Sequence, residues 1–131
     1  MGEAVTVHGF APAWGLPSTG PFTIKLLAWM ALAGVPHRFE VEMNPRRGPL
    51  GKSPWAVIDG EAVGDSERIM ARLRPRAQRD PDAGLDGRAR ARGLAFRRLA
   101  EDHLHQVLEW ELFLHPAGPP GLRAAMAGHV P

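Results

Sequence analysis

The 131-residue chain contains no cysteine and no tyrosine. Without cysteine there is no disulfide, no thiolate metal site and no cysteine nucleophile. Without tyrosine, no phenol is available as a hydrogen-bond donor. Lysine is scarce too: of 16 basic residues, only Lys25 and Lys52 are not Arg. Long hydrophobic runs are missing. The longest apolar stretch, Leu26 to Val35, falls short of the about 20 residues that a membrane-spanning helix needs. The N-terminus has no basic segment leading into an apolar run, so no secretory signal is read. These absences lead to the expectation of a cytoplasmic protein with no membrane partner. No internal repeat is visible.

What is there begins with an uneven charge. The net charge is only +2, yet residues 68–98 hold ten Arg and three Asp, a balance of +7 that leaves −5 for the rest. A basic segment attracts polyanions. An Arg-rich run is more often a solvated face, so no nucleic-acid partner is expected.

The hydrophobic pattern gives the elements. Residues 5–10 alternate and are β-branched, as are residues 38–43, so both read as strands. Between them, Pro21 opens an apolar helix that Gly34 and Pro36 close. Its apolar circumference suits burial against a sheet. Strand, helix, strand at this spacing predicts a βαβ unit with parallel strands. Trp55-Ala56-Val57-Ile58 and Glu61-Ala62-Val63 flank Asp59-Gly60, a pair suited to a type I′ hairpin. A short helix starts at Asp65-Ser66 and stops at Pro75. A long amphipathic helix is expected over 86–115, with Phe96, Leu99, His103, Val107, Trp110 and Leu114 on one face. On the other side, Glu101, His105 and Glu109 recur one turn apart. That spacing suits a metal ion, but a charged solvent face is the expectation and no metal site is assigned. The Pro/Gly-rich tail, 116–131, reads as irregular.

Three local signals carry chemistry. The first is Gly51-Lys52-Ser53-Pro54-Trp55, a loop with proline directly before a strand. The second is Asp65-Ser66, an N-cap pair whose helix start offers free N–H groups to an anion. The third is the loop Gly15 to Gly20 before Pro21-Phe22, whose hydroxyls are Ser18 and Thr19.

In this order and spacing the chain resembles the glutathione S-transferase-like superfamily. The wording around Lys25, Trp29, Gly51-Lys52-Ser53-Pro54-Trp55 and Asp65-Ser66-Glu67 is most similar to its failed-axon-connections and metaxin-like branch. The resemblance implies an α/β, thioredoxin-like βαβ-ββα N-terminal domain over 4–75. A linker over 76–85 follows, then the first helix of an all-α C-terminal domain over 86–115, most of which is missing, and a tail over 116–131. It further implies glutathione, or a similar small thiol, as co-substrate or ligand, with no metal. Ser53 would offer its backbone to the cysteinyl part of that ligand from a cis Ser53-Pro54 bond. Asp65 and Ser66 would hold the γ-glutamyl end, and Lys25 would complete the binding set. A Tyr, Ser or Cys before the first helix polarises the thiol in the family. Here only Ser18 and Thr19 remain for that catalytic role, and Gly20 stands where Cys-type members place their nucleophile. That departure puts transferase activity in question and leaves a non-catalytic interaction module as the alternative. The apolar face of the long helix is expected to be covered by a second copy or another chain over 94–114.

Overall fold

The computed structural model describes residues 5–129. The expected domain start at residue 4 and the last two residues of the tail lie outside them. The chain divides into two compact units, 1–81 and 82–131.

The first unit is built on four short strands: β1 (Thr6–Gly9), β2 (Arg38–Val41), β3 (Trp55–Ile58) and β4 (Glu61–Gly64). They form one sheet in the order β2-β1-β3-β4. β1 and β2 run parallel, as the βαβ reading expects, while β3 is antiparallel to both β1 and β4. Asp59 and Gly60 both adopt positive φ, 55° and 80°, which is the I′ geometry that closes β3 on β4. Two helices serve this sheet, α1 (Pro21–Ala33) and α2 (Ser66–Leu73).

The core lies on one face. Val7, Ala56 and Ile58 point from the sheet to Leu26, Met30 and Ala33 of α1 and to Ile69, Met70 and Leu73 of α2. α1 is apolar nearly all round, yet it buries only the stripe Thr23, Leu26, Met30, Ala33. Leu32, on the other side, is 66% exposed. The sheet receives this stripe, and the rest of the helix's apolar surface stays partly open. Gly34 ends α1 in the left-handed region at φ 66°. There Val35 N–H donates to the Met30 carbonyl at 2.9 Å, which lets the chain double back towards β2.

The segment expected as a linker from 76 is tied down instead. The backbone N–H groups of Gln78 and Arg79 both donate to the Ala33 carbonyl. Arg74 pairs with Asp80, and Arg76 with Asp59 of the hairpin. These residues satisfy the open C-terminal end of α1, so the segment up to 81 is part of the first unit.

The second unit is helical. α3 (Gly87–Leu99) is capped by the Asp86 carboxylate, which accepts from Ala89 N–H at 2.7 Å. The helix continues through a π-helical turn (Ala100–Leu104), α4 (His105–Glu109) and a second π-helical turn (Trp110–Leu114). The expected long helix is therefore continuous but carries two wide turns, each of which shifts the phase of the apolar stripe. The tail is not irregular throughout. Gly118–Met126 forms α5, with prolines in its first turn, where a missing N–H leaves nothing unsatisfied. Gly118 lies so close to the Glu111 carbonyl that no side chain fits there.

Candidate functional site

The strand register gathers two of the three chemical signals at one end of the strands. His8 faces Trp55 across β1 and β3, and Trp55 faces Gly64 across β3 and β4. Pro54 directly precedes Trp55 of β3 and Asp65 directly follows Gly64 of β4, so the two flank that pair. The Ser53-Pro54 bond is cis and lies directly before β3. Ser53 Oγ and Trp55 Nε1 are buried and meet no hydrogen-bond partner among the described residues. Buried polar atoms are normally satisfied, so two orphans flanking one proline mark this corner as unusual.

α2 starts at the same edge. Asp65 sits at φ 73°, a left-handed conformation that a non-glycine residue adopts only when its surroundings impose it. Its Oδ1 accepts from Glu67 N–H at 2.9 Å and Arg68 N–H at 3.1 Å. That caps two of the four open donors of the helix and leaves the first, on Ser66, without an intrahelical acceptor. Ser66 is buried and Asp65 is exposed. Lys25 of α1 reaches over to this helix start, where its Nζ lies 2.9 Å from Glu67 Oε1 and 5.5 Å from the Phe22 ring centre. The pair ties the beginnings of the two helices together across 42 residues of sequence.

The third signal is placed differently. Ser18 is fully buried. Its hydroxyl donates to the Phe10 carbonyl at 2.7 Å and accepts from Gly20 N–H at 3.1 Å. Thr19 N–H donates to the Ala11 carbonyl. These bonds fold the loop back along the end of β1 and fix where α1 begins. Ser18 is thus a brace within the loop, with donor and acceptor both engaged. The Thr19 side chain is half-buried. Gly20 has little room for the side chain it lacks: a Cβ there would lie 3.0 Å from Thr23 Oγ1 and 3.3 Å from the Phe10 ring.

Two features escaped sequence reasoning. Thr23 is fully buried, wedged between Gly9 and Gly20, and its hydroxyl meets no hydrogen-bond partner among the described residues. Two glycines that flank a threonine in space but not in sequence give no local signal. On the sheet face away from the core, His8 stacks on Trp55 with ring centres 3.9 Å apart, and Glu40 of β2 lies 3.9 Å from His8 Nδ1. That row follows from the register, which the sequence does not print. Beside it, Glu42 is held below the usual carboxylate range. The backbone N–H of Asn44, donating to it at 2.8 Å, is the main cause, and the Arg47 guanidinium at 3.1 Å adds to it. Among the described residues no cluster of His, Asp and Glu could hold a metal ion. No helix among them is long and apolar enough to cross a membrane.

Comparison with known proteins agrees with this geometry. The family model of the glutathione S-transferase N-terminal domain matches residues 21–118. An isoprene-epoxide–glutathione S-transferase of Rhodococcus is 34% identical over 77% of this chain and 44% of its own length. Bovine metaxin-1 is 33% identical over 83% of this chain and 34% of its own. Failed axon connections of Drosophila melanogaster is 28% identical over 81% and 25%. The chain therefore spans less than half the length of these relatives. Among solved structures, a glutathione transferase homologue from Drosophila mojavensis with bound glutathione covers 85% of this chain and 55% of its own, at TM-score 0.54 and 15% identity. An epsilon-class enzyme from the housefly covers 92% and 55%, at TM-score 0.54 and 18% identity. By its sequence family and its fold, the chain belongs to the glutathione S-transferase-like superfamily, near the metaxin and failed-axon-connections branch.

Proposed function

We propose that the first unit binds glutathione, or a similar small thiol with a γ-glutamyl end, and that it is a binding module with little or no transferase turnover. The observation that carries this reading is the meeting of the Ser53-Pro54 turn with the Asp65-Ser66 helix start across adjacent strands. An extended peptide laid along this edge pairs its cysteinyl amide with the Ser53 backbone. Its α-carboxylate takes the open N–H and hydroxyl of Ser66, where the helix dipole favours an anion. Its ammonium pairs with the Asp65 carboxylate, and Lys25, steadied by Glu67, adds a cation for a ligand carboxylate.

Turnover requires more. A glutathione thiol must be held as thiolate, which takes a donor aimed at sulfur. The Ser18 hydroxyl already donates within its loop, and there is no Tyr or Cys to replace it. Thr19 is the remaining hydroxyl of the pair proposed for this role.

Calorimetric titration of the full chain with glutathione tests the reading. Saturable heat is expected, and Asp65→Asn, which keeps a capping oxygen but loses the charge, should weaken binding about tenfold or more, on the order of 1.5–3 kcal/mol for a hydrogen bond to a charged group. Absence of heat at millimolar glutathione overturns it.

A second reading concerns the second unit. No described residue of it is buried, and its apolar side chains over 94–114 are largely exposed. We propose that this run is an interaction face, as the alternative of a metaxin-like interaction module requires.

A further inference from the structure

Trp55 borders both halves of the ligand edge. It follows Ser53-Pro54 in sequence and pairs with Gly64, the residue before Asp65. Its indole Nε1–H is buried and meets no hydrogen-bond partner among the described residues, so packing fixes the ring. The loop backbone lies against one side of the indole, where a Cβ on Gly48 would fall 2.6 Å from Cδ1 and 2.8 Å from Cγ. Across the sheet, His8 is the register partner of Trp55. The two rings stack at 3.9 Å between centres and 13° between planes. The hold on the indole, and with it the position of the turn before it, therefore depends on His8.

Within this row only the imidazole changes charge near neutral pH. Charged groups face it from the neighbouring elements. On β2, Glu40 Oε2 lies 3.9 Å from His8 Nδ1, and Arg38 precedes Glu40 by two residues, on the same face by strand alternation. After β2, Glu42 is close enough for its charge and that of His8 to act on each other, and the Arg47 guanidinium holds Glu42 at 3.1 Å. Lys52 belongs to the loop against the indole, its carbonyl 3.2 Å from the place of a Gly48 Cβ. β3 offers no charge, only the face of Trp55. The His8 side chain is 14% exposed, so solvent ions screen it little. A cation against an indole face is held by the ring quadrupole, which a neutral imidazole does not feel in the same way.

We propose that His8 is a positioning residue for the thiol ligand: its protonated ring clamps Trp55 and thereby sets the Ser53-Pro54 turn where it pairs with the ligand. The proposal rests on the glutathione reading and adds a regulation of that site. The ligand binds more tightly in mild acid than at neutral pH. A clamp raises affinity only as far as it raises the fraction of turns already in place. For a stack of this kind that is about three- to tenfold.

Calorimetric titration of the full chain with glutathione between about pH 5.5 and 7 tests it. In that window the ligand's carboxylates are ionised and its thiol and ammonium keep their protons. Kd should rise about three- to tenfold from the acid to the neutral end. His8→Phe keeps an aromatic partner for the indole without the charge. It should bind as the parent protein does at neutral pH, with the pH dependence gone. His8→Ala should bind more weakly throughout, a loss that His8→Phe recovers. His37→Gln, altered at the turn between α1 and β2 where Nδ1 lies 3.0 Å from the Val35 carbonyl, should keep the full pH dependence. A parent Kd that is constant over the window overturns the proposal, as does a pH dependence that survives in His8→Phe. A measurement without ligand separates this from the glutathione reading. The NMR amide signals of Ser53 and Gly64 should move over the same window in the parent protein and stand still in His8→Phe. Stationary signals overturn the clamp even if glutathione binds. Moving signals with no glutathione heat overturn the glutathione reading and leave the clamp standing.

Discussion

The two units use apolar side chains in opposite ways. The first closes a core: Leu26, Met30, Ile58, Ile69 and Leu73 are fully buried between sheet and helices. The second carries large apolar residues at a similar density along its sequence and buries none of them among the described residues. The same hydrophobic content thus holds one unit together and leaves the other to find its burial elsewhere. Where the sequence alternates between strand and helix periods, two layers cover each other within the chain. Where it repeats only the helical period over one long run, the stripe stays exposed among the described residues.

That contrast breaks most visibly under truncation. Leu26→Ala or Ile69→Ala should destabilise the first unit by about 2–5 kcal/mol, measured by urea unfolding followed at Trp29 and Trp55. Leu104→Ala should change the stability of the chain by less than about 0.5 kcal/mol. Equal effects at the two places would erase the distinction.

Glycine substitution sharpens it with a change of sign. A Cβ on Gly9 would fall 2.6 Å from Thr23 Cγ2, so Gly9→Ala should cost about 1–3 kcal/mol by overpacking. A Cβ on Gly93, inside α3, meets nothing within 4 Å. Gly93→Ala should stabilise the second unit by about 0.5–1 kcal/mol, read as added helical signal or slower amide exchange over 87–99.

The smallest effect is in acid. Glu42 has a folded-state pKa below its unfolded value, through the Asn44 N–H first and Arg47 second, with burial opposing them. Its contribution is therefore present above the unfolded carboxylate range, near 4.5, and is lost as pH falls through the lower folded value. Glu42→Gln should flatten that part of the pH–stability profile and leave neutral pH nearly unchanged. An identical acid limb in both proteins contradicts the assignment.

Much of the first unit was legible because local and long-range signals agreed. Pro21 and Gly34 bracket α1 and Asp59-Gly60 closes the hairpin by backbone preference, and Asp65 caps α2 with its side chain. The site's corner was legible for the same reason, since Ser53-Pro54 and Asp65-Ser66 flank paired strands. Other features depend on closure in space. The direction of the Ser18 hydroxyl is decided by where the Phe10 carbonyl comes to lie, eight residues earlier. The Lys25–Glu67 pair needs α1 and α2 side by side. In the second unit the two π-helical turns leave no mark in the composition. α5 was hidden by Pro119 and Pro120, which read as breakers although a helix's first turn accepts them.

The central claim is that the ligand edge lies at the Ser53-Pro54 turn and the α2 start, wholly within the first unit. Backbone amide shifts of the full chain, recorded by NMR during a glutathione titration, test it most directly. The account predicts saturable shifts at Ser53, Ser66 and Glu67, with residues 87–114 unmoved. Shifts confined to the second unit, or none at millimolar glutathione, would contradict it.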